Sequence, residues 1–148
     1  MSLTGTLAAR VTLSNTLAGI DLSTPEESVS QSLSKSIASG VLYHDTYALA
    51  DSETLALNFG DDSLSDVFGN TINITTITGI YIKADAANTV DLNVSTGATS
   101  IFNDLPAFSA GEGFLYMADI DTTTNAILYI DNGAAVGSVD IIVCGTEA

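Results

Sequence analysis

Residues 72–95, INITTITGIYIKADAANTVDLNVS, constrain the fold more than any other stretch of the chain. They hold two runs of strand character, 78–84 and 89–94, separated by the turn-forming Asp85-Ala86-Ala87-Asn88. In the first run Ile80 and Ile82 fall on one face, Tyr81 and Lys83 on the other. In the second, Val90, Leu92 and Val94 alternate with Thr89, Asp91 and Asn93. Successive side chains of a strand point to opposite sides, so this alternation sets one face on a core and the other toward water or a partner. A pair of adjacent strands follows.

The rest of the chain repeats the pattern. Residues 3–13 alternate without a slip, with Leu3, Leu7, Ala9, Val11 and Leu13 on one face and Thr4, Thr6, Ala8, Arg10 and Thr12 on the other. Residues 21–40 are ambiguous. Thr24-Pro25-Glu26-Glu27 has the form of a helix start, and Val29, Leu33 and Ile37 recur every four residues. Serine at 28, 30, 32, 34 and 36 has a period of two and is a mediocre helix former, which favours an extended edge strand. Further strands are expected at 41–47, at 53–59 with Leu55, Leu57 and Phe59 inward, at 112–120, at 126–131 and at 139–144. One helical turn is expected at 64–68, capped by Asp61-Asp62-Ser63 and stopped by Gly69. Residues 100–110 read as a packed loop anchored by Ile101, Phe102, Leu105 and Phe108. Seven to nine strands between polar turns predict an all-β chain: one domain, 1–148, built as an antiparallel β-sandwich of jelly-roll type.

Charge narrows the function. Arg10, Lys35 and Lys83 face 18 carboxylates, for a net charge of −15. Binding to nucleic acid or to an anionic membrane needs clustered basic residues, so neither partner is expected. No apolar signal-peptide core and no 18-residue apolar run occur, which predicts neither conventional secretion nor membrane insertion. The one cysteine, Cys144, sits in the apolar run VDIIVCG and reads as a buried thiol.

Catalytic patterns are weak. His44-Asp45 is adjacent in a strand, so the two side chains diverge and Asp45 does not orient the ring. One histidine cannot build a multi-histidine zinc site, and no GxxxxGK[ST], GxSxG or dinucleotide-binding glycine pattern occurs. No catalytic residue and no cofactor is expected. Asp119, Asp121 and Asn125 lie around one turn, the candidate calcium site, and Asp61-Asp62 around another; both offer hard oxygen ligands without the EF-hand spacing.

Three segments carry a resemblance. VLYHDTYALADSETLALNF, LSDVFGNTINITTITGIYIKA and DNGAAVGSVDIIVCG resemble small accessory virion proteins of tailed bacteriophages, over about residues 20 to 145. The matching features are His44-Asp45-Thr46-Tyr47, Asp66-Val67-Phe68-Gly69, Ile80-Tyr81-Ile82-Lys83 and Asp140-Ile141-Ile142-Val143-Cys144-Gly145. Tyr47 stands where that pattern has a basic residue, which alters an interface contact. The resemblance implies a non-enzymatic virion protein, either a capsid decoration protein or one of the neck, tail or baseplate. Its partners would be other copies of itself, in trimers or higher oligomers, and the major capsid protein or other virion proteins. Arg10, Lys35, Tyr47, Tyr81 and Lys83 are the candidate contact residues, because scarce cations in an acidic chain orient salt bridges and tyrosines suit interfaces. The rivals are a tail-borne receptor- or carbohydrate-binding module and an enzyme with a noncontiguous carboxylate site.

Overall fold

A computed structural model describes residues 3–15, 27–95, 97, 99–103 and 105–147. Eleven strands follow in order: β1 (Leu3–Asn15), β2 (Glu27–Leu49), β3 (Thr54–Asn58), β4 (Leu64–Ser65), β5 (Thr71–Ile72), β6 (Ile74–Ala84), β7 (Leu92–Ser95), β8 (Gly113–Tyr116), β9 (Ile120–Asp121), β10 (Ile127–Asn132) and β11 (Gly137–Glu147). They form three antiparallel sheets. One has the order β1-β2-β11-β6-β8 with β9 also on β6, the second is β3-β10-β7, and the third is the short pair β4-β5. The expected strand at 3–13 forms, and residues 27–40 are strand, not helix. The expected helix start at Thr24-Pro25-Glu26 lies outside the described residues.

Two expectations are corrected. No helix occurs among the described residues, and 64–68 is a two-residue strand followed by a reverse turn. The turn wins because Asp66 Oδ1 accepts the Phe68 and Asn70 amides at 2.9 and 2.8 Å, and Gly69 takes φ +84° to bring the chain back. Nor, among the described residues, does any sheet close or curl into a jelly roll. The long strand β2 changes partner at Gly40: residues 27–40 pair with β1, while 41–49 pair with β11. The large sheet therefore runs out into a two-stranded ribbon instead of wrapping round.

The two larger sheets share one core. Val139, Ile141 and Val143 of β11 stand opposite Ala84, Ile82 and Ile80 of β6, all fully buried. Leu128 and Ile130 of β10 stand opposite Leu57 and Leu55 of β3, and Ile130 also opposite Val94 of β7. All of these belong to one apolar cluster, into which Phe102 of the 100–110 loop sets its ring edge-on to Phe114 and Tyr116. Each fully buried aliphatic side chain contributes about 1.5–3 kcal/mol.

Strand β6 carries the main irregularity. Ile74, Ile77 and Ile80 are all buried although strand alternation cannot place residues three apart on one face. The ladder with β11 accounts for it: the pairing skips Thr75 and Thr78, so each is the extra residue of a bulge. Each bulged threonine turns its hydroxyl to the neighbouring strand, Thr75 to the Thr146 carbonyl and Thr78 to the Cys144 carbonyl, both at 3.1 Å. On the other edge of β6 the same place separates β8 from β9, which splits the single strand expected at 112–120.

The pair of strands expected at 78–94 is not a hairpin. β6 and β7 lie in different sheets, because the corner 85–88 is fastened to β11. Asn88 acts there like a strand residue: Nδ2 donates to the Ser138 carbonyl at 2.9 Å, and Oδ1 accepts the Ser138 amide at 2.8 Å.

Candidate functional site

The five expected contact residues do not come together. Arg10 on β1 stands opposite Ser32, and Lys35 on β2 stands opposite Leu7, both in the ribbon. Tyr47 is on the part of β2 that pairs with β11. It packs against the core, and its hydroxyl shares a hydrogen bond with that of Tyr43. Burial, then that neighbouring hydroxyl, pushes the Tyr43 phenol well above its ordinary pKa, and burial also raises Tyr47. Tyr47 is thus partly buried and tied to Tyr43. Tyr81 and Lys83 lie on the outer face of the large sheet, where Tyr81 stands between Ile142 and Leu115 and Lys83 between Asp140 and Gly113.

That outer face holds a depression of about 460 Å³ lined by His44, Thr46, Lys83, Asp85, Ser138 and Asp140, among others. Strand geometry explains the grouping. Asp140 is opposite Thr46 on one side and Lys83 on the other, which puts three polar side chains in one cross-strand row. Asp140 Oδ1 shares a 2.8 Å hydrogen bond with His44 Nε2 and accepts from the Thr46 hydroxyl at 3.1 Å. The histidine therefore takes a cross-strand carboxylate, not its chain neighbour Asp45, whose own Oδ1 accepts the Thr46 amide at 2.8 Å. The sequence excludes the His44-Asp45 pair but gives no pointer to Asp140, 96 residues away.

The candidate calcium residues sit in and beside β9. Asp121 Oδ1 accepts the Thr123 hydroxyl at 2.6 Å and the Thr123 amide at 2.8 Å, and these bonds hold its carboxyl below the usual range. Among the described residues no group of three or more His, Cys, Asp or Glu side chains is placed to hold a metal ion. Cys144 is buried, and burial raises its pKa, as suits an inert core thiol.

Two features escaped the sequence reading. One is the ribbon itself, in which β1 pairs with β2 and with no other strand among the described residues. The other is the 66–70 turn, which leaves Phe68 60% and Val67 43% exposed beside the ribbon's root. A depression of about 140 Å³ lies between Phe68 and Gly40, Val41 and Leu42. The turn is fixed by its own bonds, and Asn70 Nδ2 adds a third to Asp66, at 2.9 Å.

Charge is unevenly divided between these parts. Residues 3–15 and 27–39 carry Arg10 and Lys35 against Glu27 alone, whereas residues 40–147 carry Lys83 against fifteen carboxylates. With Asp21 and Glu26 of the connecting segment counted, residues 1–39 carry three carboxylates against two cations. No protein-family model matches the chain, and no curated protein matches it in sequence.

Proposed function

We propose that this chain is a non-enzymatic structural protein of a virion, a capsid decoration protein that acts as a homo-oligomer. The observation that carries this reading is the β1–β2 ribbon, some thirteen residues long on each strand, in which β1 pairs with no third strand among the described residues. Two strands alone are marginal in water, so a ribbon of this length is an element made for a second molecule. The resemblance of the 41–145 segments to accessory virion proteins points to the same role.

Quantitative mass spectrometry of gradient-purified particles from the source virus tests it. A fixed ratio to the major capsid protein, amounting to hundreds of copies, supports decoration, and absence from clean particles overturns the virion role. A second reading, a tail- or baseplate-borne receptor- or carbohydrate-binding module, is favoured by the polar depression around His44, Thr46, Ser138 and Asp140. A dozen or a few dozen copies per particle, with saturable glycan binding lost on Asp140→Ala, would select it.

A further inference from the structure

We infer that the depression on the outer face of the large sheet binds a neutral saccharide through Lys83, Asp85, Ser138 and Asp140. The inference rests on the second reading above, a carbohydrate-binding module, and gives that reading a site and a ligand class.

The walls are fixed by bonds within the chain. On one side the corner 85–88 is tied to β11. The Asp85 amide donates to the Ser138 carbonyl at 3.0 Å, and the Asn88 side chain holds both the amide and the carbonyl of Ser138. Asp85 Oδ1 also accepts the Ala87 amide at 2.7 Å, which stiffens the corner. On the other side His44 and Thr46 both bond to Asp140 Oδ1. A wall organised in this way loses little conformational freedom when a ligand arrives.

Those bonds leave a mixed set of donors and acceptors for a ligand. Asp140 and Asp85 each commit Oδ1 and keep Oδ2 as an acceptor. Lys83 Nζ and the Ser138 hydroxyl line the same depression, and among the described residues neither has a hydrogen-bond partner. Lys83 stands directly opposite Asp140, so a donor and an acceptor lie side by side. The row is open to solvent, with the Asp140 side chain 34% exposed.

Charge and polarity select the ligand. A metal ion finds no group of three or more His, Cys, Asp or Glu side chains among the described residues. An anion meets two carboxylates beside one lysine, on a chain of net charge −15. An organic cation meets the Lys83 ammonium in the same row. An apolar ligand finds only the methyl groups of Ala84 and Ala86. A neutral ligand that both donates and accepts suits the set, and each sugar hydroxyl does both. Hydroxyls donate to the two carboxylates and accept from Lys83 and Ser138. The volume of about 460 Å³ lies within the range usual for small-molecule sites.

A ¹H–¹⁵N NMR titration of the full chain tests the inference. The probes are glucose, galactose, N-acetylglucosamine and the neutral polysaccharide dextran, with sialic acid and free lysine as charged comparators. Saturable shifts of the Lys83, Asp85, Ser138 and Asp140 amides are expected with at least one neutral probe. Lys83→Gln and Asp140→Asn are each expected to weaken that binding at least about tenfold. The shifts are mapped on the wild-type chain, so a variant that fails to fold leaves the first arm decisive. Shifts at these residues with the charged comparators alone overturn the ligand class. Saturable sugar binding that moves other residues and survives both substitutions overturns the site and leaves the carbohydrate-binding reading standing. No response to any sugar overturns the site and that reading together.

Discussion

The Thr78 hydroxyl donates to the Cys144 carbonyl at 3.1 Å, and Thr78 is the residue that the β6–β11 ladder skips. The bond supplies the acceptor with a donor at the point where the bulge interrupts the ladder, and Thr75 repeats it on Thr146. Thr78→Val keeps the shape and removes the donor, and should cost about 1 kcal/mol. Gly145, paired with Ile77, should tolerate less, because an added Cβ would meet Ile74 Cγ2 at 2.5 Å and the Thr76 carbonyl oxygen at 2.7 Å. Gly145→Ala is expected to lose about 2–3 kcal/mol. Urea midpoints by circular dichroism order the two, and a Gly145→Ala midpoint equal to wild type would refute the account of the bulge.

Asn132 is buried at the end of β10, and its Nδ2 faces the carbonyls of Ala50, at 2.8 Å, and of Ala135. It clasps the 133–136 turn to the end of β2. Asn132→Asp is nearly isosteric but sets a carboxylate oxygen against those carbonyls. A loss of about 3 kcal/mol or more is expected at neutral pH, with partial recovery in acid as the carboxyl protonates. A pH-independent stability difference would argue against that geometry.

Asp66 is held below its ordinary pKa first by the Asn70 side chain, and further by the amides of Asn70, Phe68 and Gly69. A depressed folded-state pKa stabilises above the unfolded value, about 3.9, and that contribution fades as pH falls below it through the folded value. The turn carrying Phe68 should therefore stay ordered at neutral pH and loosen only in strong acid. An NMR titration that follows the Asp66 carboxyl carbon and the Phe68 and Asn70 amides checks this; a midpoint at or above the ordinary value contradicts it. Asp66→Ala should expose those amides to exchange at neutral pH.

Tyr43 behaves with the opposite sign. Burial raises its pKa, so its contribution is complete below the ordinary tyrosine value, about 10, and declines as pH rises beyond it. Of the five tyrosines, Tyr43 is expected to resist ionisation until the fold opens. Absorbance titration of wild type and Tyr43→Phe separates it: the late, unfolding-linked step should vanish in the variant. Cys144 should likewise react with a thiol reagent only on unfolding.

Much of the all-β character was legible, because period-two alternation in 3–13, 53–59, 78–84 and 139–144 reports a half-buried strand wherever it lies. Leu57, Phe59, Ile80, Ile82, Ile141 and Val143 are core residues on that rule, and all are buried. The rule failed where local bonds compete. Asp61-Asp62-Ser63 reads as a helix cap, yet Asp66 offers its carboxylate to a tighter turn. The strand run drawn at 78–84 starts too late, because the two bulges that bring Ile74, Ile77 and Ile80 to one face exist only in the pairing with β11. Of the polar depression on the outer face, Lys83 was visible as a scarce cation on the alternate face of its strand, and His44 as the single histidine. The hydroxyl partner of Tyr47, Tyr43, is revealed only once both are seen on the core-facing side of β2.

By itself the sequence determined which residues are extended, which of their faces are apolar, and that the chain is strongly acidic, with three cations against 18 carboxylates. Those are local properties, set by side-chain alternation and by composition. Tertiary structure decided the partners: that β2 serves β1 before Gly40 and β11 after it, that β6 and β7 part into separate sheets at Asn88, and that Asp140 gathers His44, Thr46 and Lys83. Strand pairing joins residues far apart in the chain through backbone bonds that any side chain permits, so it leaves little trace in local pattern.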